Sequence, residues 1–216
     1  MYYPFFLYSS KIDHFPIFPN LQGDPYIADM SPNSELLKGI DVRDQKSLQR
    51  ILDGKMKGRH RWGVAPYLER RDTLLGECPQ MVAEKRFIHL GLDIIVDLGT
   101  ALHAPLDATV NESGYEGGEG NYGGYVVLRH DSPHFETFYS FFGHLRRDTL
   151  PEKGTVIAGG QSFAEVGDFH ENGNWFYHTH LQVITAQGLE KGYYSKGYCN
   201  EQDLLLMNDL CPSPLC

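Results

Sequence analysis

The segment Tyr177-His178-Thr179-His180-Leu181-Gln182-Val183 constrains this chain more than any other stretch. Its β-branched and aliphatic residues favour a strand. Strand side chains alternate between faces with a period of two, so the two imidazoles share a face and lie close together. Well upstream, His89-Leu90-Gly91-Leu92-Asp93 offers a further imidazole and a carboxylate. A His and an Asp that meet a His-x-His strand complete a three-ligand set with one position left for water. That is the layout of a catalytic zinc site rather than a structural one. On residue chemistry alone the same donors also suit iron or manganese.

The rest of the chain can supply a core to hold such a site. It has 216 residues, 41% of them hydrophobic and 22% charged, within the range of ordinary globular domains. The net charge of −9 repels polyanions, which argues against nucleic acid as a partner. The basic run Lys55, Lys57, Arg59, Arg61, Arg70 and Arg71 reads as a solvated loop. Cys78, Cys199, Cys211 and Cys216 form no C-x-x-C pair, so a sulfur-ligated zinc knuckle is not indicated. Cys211 and Cys216 can pair in an oxidising compartment; free thiols are the favoured reading, given no export signal. The opening Met1-Tyr-Tyr-Pro-Phe-Phe-Leu-Tyr lacks a basic start and a cleavage site, and Pro4 breaks its apolar run. No run approaches the ~20 apolar residues that span a membrane. On sequence alone a cytoplasmic chain without a membrane span is the expectation, and the compartment stays open.

Residues 1–84 read as an N-terminal arm with helical decoration. Residues 1 to about 30 form an aromatic, Pro-rich arm lying on the rest of the protein. Residues 33–54 look helical: Asn33 or Ser34 caps a first turn, and Asp44 caps a second segment. In that segment Leu48, Ile51 and Leu52 share a face and Gly54 is the stop. Residues 55–86 are charged and irregular. Short strands with little helix then predict an antiparallel β domain over 85–188. They include Ile94-Ile95-Val96, Thr109-Val110, Gly124 to Leu128, Thr137 to Tyr139, and His180 to Thr185. Gly114 to Gly124 holds six glycines in eleven residues and reads as a mobile or tightly turning loop. Residues 189–216 form a C-terminal extension with one short helix over 201–207.

A further imidazole follows the strand Thr137 to Phe142, in Gly143-His144-Leu145. Beside a metal site it can take or give a proton. These motifs, in this order, resemble those of the M23 metallopeptidases, the lysostaphin or LytM type of zinc endopeptidase. His89-x-x-x-Asp93 resembles the first ligand motif, Tyr139 to Leu145 the segment ending His-Leu, and His178-x-His180 the closing His-x-His. Gly99 to Pro105, Asn121 to His130 and Gly154 to Gln161, continued by Glu165-Val166-Gly167, resemble the family's connecting strands and turns. The likeness covers about 87 to 185. Thr179 and Leu181 replace a Leu and a Phe of the pattern, and both suit a strand.

The resemblance implies a mainly β fold, a small antiparallel sheet with a groove. It implies one Zn2+ per chain on His89, Asp93 and His180, with His144 and His178 as the catalytic, non-ligand histidines. The implied activity is zinc-dependent hydrolysis of peptide bonds, in peptidoglycan cross-links or glycine-containing peptides, by enzymes usually exported to the cell envelope. It also implies a mode of latency, in which residues 1–60 cover the groove and lend a fourth ligand.

Other residues carry weaker expectations. Tyr122 lines a substrate groove or is an exposed loop residue. Trp175 walls the site or packs. His103 and His130 read as satisfied structural histidines, His134 and His170 as exposed, and His14 and His60 as outside the domain. Two other functions compete. A non-catalytic M23-like domain that binds or activates a partner typically lacks zinc ligands, whereas all five site positions are filled here. A cupin also carries His-x-His on a β barrel, but it needs a nearby Glu and a later His. Here the first Glu is Glu190 and no His follows His180.

Overall fold

The computed structural model describes residues 12–214. In chain order the elements are β1 (Tyr26–Ile27), α1 (Gln45–Met56), β2 (Gly63–Ala65), α2 (Asp72–Leu75) and α3 (Pro79–Glu84). There follow β3 (Ile88–His89), β4 (Leu92–Ile95), β5 (Ala101–His103), β6 (Ala108–Glu116), β7 (Gly123–Ser132) and β8 (Phe135–Leu145). The last are β9 (Val156–Ile157), β10 (Ser162–Glu165), β11 (His178–Thr185), α4 (Ala186–Glu190), β12 (Tyr198–Cys199) and α5 (Met207–Leu210). The fold is mainly β, as expected. An eight-stranded sheet runs in the order β1-β2-β4-β11-β8-β7-β6-β9, and β10-β5 and β12-β3 form two small ribbons. All pairings are antiparallel except β1 with β2.

Alternation along the central strands divides the core. Leu92, Ile94, Val126, Leu128, Phe142 and Leu181 pack together in one cluster. Their neighbours Ile95, Val127, Phe141 and Ile184 belong to two other clusters. Helix α1 covers the first of these with Leu48 and Leu52, alongside Trp175 and Phe176. The C-terminal Met207 and Leu210 cover the second. Both sides of the central strands are thus dry, which suits their near-continuous burial. Among the described residues no helix is long and apolar enough to cross a membrane.

Several local expectations are corrected. Residues 35–39 form turns rather than a first helix; the Ser34 hydroxyl bonds back to Asp29 O and accepts from Leu36 N (3.0 Å), a local arrangement that competes with helix. Asp44 does cap α1, accepting from Ser47 N at 3.0 Å, but the helix passes through Gly54 and ends at Met56. The stretch 55–86 carries β2, α2 and α3, and β1 and β2 extend the main sheet, so the segment before residue 85 forms part of it. The glycine-rich stretch is a tight turn over 117–122 flanked by strand: β6 continues to Glu116 and β7 resumes at Gly123. Gly124 is needed there because a Cβ would sit 2.3 Å from Leu145 O on β8. The C-terminal helix spans Met207–Leu210, after a 3-10 turn at Leu204–Leu206.

Of the arm, residues 1–11 lie outside the described residues. Phe15 packs on Gly159 and Gly160 and donates its N–H to Pro105 O at 3.0 Å, and Ile17 O accepts from His103 N at 2.8 Å. Cys78, Cys199 and Cys211 are free thiols; the proposed pairing partner Cys216 lies outside the described residues.

Leu52 is fully buried on the inner face of α1. Leu52→Ala is expected to lower unfolding free energy by about 2–5 kcal/mol through lost burial and the cavity left behind. Urea denaturation measures this; a loss under about 1 kcal/mol would show that α1 is not part of the core.

Candidate metal centre

The site is assembled on three adjacent strands. In the register of β11 against β4, His180 faces Asp93 and His178 faces Ile95. Directly opposed residues in an antiparallel pair present their side chains together on one face. On the other side of β11, His180 faces Gly143 of β8, which brings His144 to the same place. His89 arrives from β3, displaced from β4 by the step Leu90-Gly91. That step needs glycine: a Cβ on Gly91 would lie 2.4 Å from His180 Cε1 and 2.6 Å from Leu181 O. His144 is held at φ 65°, an uncommon conformation for a residue with a Cβ. Its N–H donates to Tyr122 O (2.9 Å) and its carbonyl accepts from Gly167 N (2.9 Å). Over-determined strain of this kind clusters at functional sites.

All five expected residues come together in the interior. His89, Asp93, His178 and His180 are at most 3% exposed, and His144 is 6% exposed. His89 Nε2, Asp93 Oδ1 and His180 Nδ1 lie 2.9–3.2 Å from one another. The far nitrogen of each imidazole has a fixed acceptor. His89 Nδ1 meets Pro66 O (2.8 Å), His180 Nε2 meets Gln182 Oε1 (3.0 Å), His144 Nδ1 meets Asn172 O (2.7 Å) and His178 Nδ1 meets Phe176 O (2.7 Å). Gln182 is itself oriented, its amide nitrogen donating to Tyr193 O at 3.1 Å. Carbonyl oxygens can only accept, so each of these rings carries its proton outward and turns a lone pair inward.

The charges agree with that assignment. Burial lowers His89 to about 3 and His178 to about 4, and pushes His144 well below its ordinary value, so these rings are neutral near pH 7. Burial alone would raise Asp93, but the charged Arg71 guanidinium beside it outweighs that and holds the carboxylate well below its ordinary range. Two imidazole lone pairs and a carboxylate oxygen therefore converge with no proton to share among them. Outward-pinned imidazoles beside a carboxylate suit a divalent cation, and the donor set matches that of a zinc site. Among the described residues, His89, Asp93 and His180 form the group able to hold a metal ion.

A cavity of about 360 Å³ opens onto this cluster. Its walls include Arg71, Arg86, Glu116, Glu119, Tyr122, Trp175 and Tyr198. No residue of 12–60 lines it, so among the described residues the arm does not cover the site; Arg71 to Arg86 and Ser195 to Tyr198 flank it instead. Tyr122 is buried rather than exposed, its ring 4.4 Å from Phe141 and 5.6 Å from His180, and its hydroxyl has no partner among the described residues. Trp175 both packs and lines the cavity.

Away from the site, His130 is a satisfied core histidine, bonded to Asp107 O and Ser140 Oγ. His103 is not: its Nδ1 is buried without a partner among the described residues. His170 is exposed, His134 is half-buried, and His60 bonds to Asp24 O. Four contributors escaped the sequence reading: Gly91, Gln182, Asn172 and Arg71. Gln182 alone carried a signal, since it lies two residues past His180 on the same strand face.

The class of protein is therefore a sheet-rich domain with a buried His-Asp group fit for a metal. Residues 87–191, just under half of the chain, match the family model described as Peptidase family M23. The M23 resemblance read from the motifs thus holds over that stretch. No curated protein matches the chain. Among solved structures, the catalytic domain of the antimicrobial peptidase lysostaphin from Staphylococcus simulans is 16% identical with a TM-score of 0.41, over 56% of this chain and 80% of that one. A zinc-containing peptidase from Vibrio cholerae is 24% identical with a TM-score of 0.36, over 45% of this chain and 27% of that one. The catalytic domain of a prophage-encoded M23 protein from Enterococcus faecalis is 18% identical with a TM-score of 0.39, over 52% and 75%. The chain thus spans about a quarter of the length of the Vibrio cholerae peptidase.

The lowered histidines predict acid sensitivity of the chelated protein. Unfolded imidazoles take up protons near pH 6.5, whereas His89, His130 and His178 resist until about 3, 4 and 4. Their folded values are depressed, so stability is full above pH 6.5 and falls as the pH drops toward 4. Urea unfolding in a chelator at pH 7 and pH 5 should differ by at least about 2 kcal/mol. Equal stabilities would mean that these rings are protonated in the folded protein.

Proposed function

We propose that this chain is a zinc-dependent peptidase. His89, Asp93 and His180 hold the ion, and His144 and His178 handle the proton. The supporting observation is that four buried imidazoles donate outward, so that their lone pairs face one space beside a carboxylate. Bound zinc supplies Lewis acidity there, which acidifies water and polarises a carbonyl. His144 and His178 stand with ring centroids 4.3 Å apart, and each Nε2 is free to accept a proton. Once protonated, the same nitrogen becomes a donor, suited to the oxyanion of a tetrahedral adduct or to the departing amine. The carbonyls of Asn172 and Phe176 keep each ring in the tautomer this role needs. Tyr122 brings a buried, unpartnered hydroxyl to the cavity wall and serves as a substrate contact. The open cavity beside the cluster gives a peptide chain access to it. Glycine-containing peptides, such as peptidoglycan cross-links, are the substrates proposed, on the resemblance of residues 87–191 to the M23 peptidases.

The test combines metal analysis with hydrolysis of glycine-rich peptides and peptidoglycan fragments. His144→Ala and His178→Ala should retain zinc and lose about 10²–10⁴-fold in kcat/KM. Asp93→Ala and His180→Ala should lose zinc as well. Zinc retention with no turnover of any such peptide would leave the groove as a partner-binding surface. A wild-type chain that retains no zinc would end the peptidase reading.

A further inference from the structure

We infer that Arg71 is a positioning residue for Asp93, and that Glu69 holds it in place; the inference rests on the zinc reading above. Arg71 is 1% exposed and lines the cavity, unlike the solvated loop residue its sequence context suggests. From Glu69 to Arg71 the backbone runs along β3, with an antiparallel bridge between Arg70 and Ile88. Leu68 N donates to His89 O (2.7 Å), His89 N to Glu69 O (2.9 Å) and Arg71 N to Phe87 O (2.8 Å). An extended backbone alternates its side chains, so Glu69 and Arg71 share the inner face. Arg70 turns outward to Asp72 and Glu201.

The guanidinium fork divides its donors between two carboxylates. Nη1 donates to Asp93 Oδ2 at 2.6 Å and meets the Tyr198 hydroxyl at 3.2 Å. Nε donates to Glu69 Oε2 at 2.8 Å, and Glu69 Oε1 accepts from Met30 N at 2.8 Å. Asp93 therefore has its two oxygens assigned to different tasks. Oδ2 is taken by Arg71, and Oδ1 is the oxygen that faces His89 (3.1 Å), His180 (3.2 Å) and His178 (3.6 Å). A carboxylate free to rotate would present either oxygen; this one presents Oδ1. A lone guanidinium would repel a divalent cation nearby. Glu69 balances its charge, which leaves the geometry of the hydrogen bond as the contribution of Arg71. Lysine cannot replace it, because a single ammonium lacks the planar fork that reaches both carboxylates at once.

Partners that orient metal ligands are typically worth 10- to 100-fold in metal affinity. Zinc affinity measured by chelator competition should fall at least about tenfold in Arg71→Met and in Arg71→Lys. The visible spectrum of the cobalt-loaded protein should change in both variants, since it reports the ligand set directly. Circular dichroism identifies the variants that fold; a structural pair alone would lower their melting temperature without moving affinity or spectrum. If neither Arg71 variant folds, Glu69→Gln decides by the same two readouts. Folded variants that bind zinc within about threefold of wild type, or more tightly, with an unchanged cobalt spectrum, overturn this role of Arg71 alone. A wild-type chain that takes up neither zinc nor cobalt overturns the zinc reading and this inference with it.

Discussion

The meeting of His89 Nε2, His180 Nδ1 and Asp93 Oδ1 in a dry interior is the constraint around which the rest of the structure is arranged. Three acceptor atoms at such distances are unfavourable unless a cation sits among them or their charges are balanced nearby. The surroundings do the balancing. Pro66, Asn172, Phe176 and Gln182 hold the imidazole protons outward, and Arg71 and Glu69 tie the carboxylate down. A site built this way holds each of its donor groups in place, a condition under which a bound metal would need little reorganisation.

Rigidity at the ligands depends on segments distant in sequence. Helix α1 lies about 130 residues before β11, yet Gln45 Oε1 accepts from Phe176 N (3.1 Å) and Gln49 Oε1 from Tyr177 N (2.6 Å). Those two glutamine side chains fix the backbone that leads directly into His178. At the other end, Tyr193 carries the carbonyl that orients Gln182, which orients His180. The regions before and after the M23-like stretch thus contribute to the order of the site as well as to the burial of the sheet. Gly91 has the same significance at shorter range, since only its missing side chain lets β4 pass under the His180 ring.

The donor residues were legible in the chain itself because they are local patterns. A two-residue repeat on a strand puts His178 and His180 on one face, and the motif order around His89, Asp93 and His144 narrowed the family. The strands whose runs were β-branched were legible for the same reason. Less visible were the strand content of the glycine-rich stretch and of residues 63–65, where close packing, not side-chain propensity, selects extended backbone. Helix over 33–39 failed because Ser34 finds closer backbone partners than a helical turn provides.

What the amino-acid order determined by itself was the inventory and its local periodicity: three imidazoles and an aspartate in an M23-like sequence of motifs, with one more histidine on the closing strand. What only the folded chain decided was how each donor is aimed. Arg71 is one of a run of basic residues and nothing in its neighbourhood marks it as buried. Its role depends on an extended segment pairing with β3 and on Asp93 arriving beside it from β4, a contact across 22 positions of chain. Hydrogen bonds of this kind have direction but no sequence period, so they emerge only when the sheet is assembled.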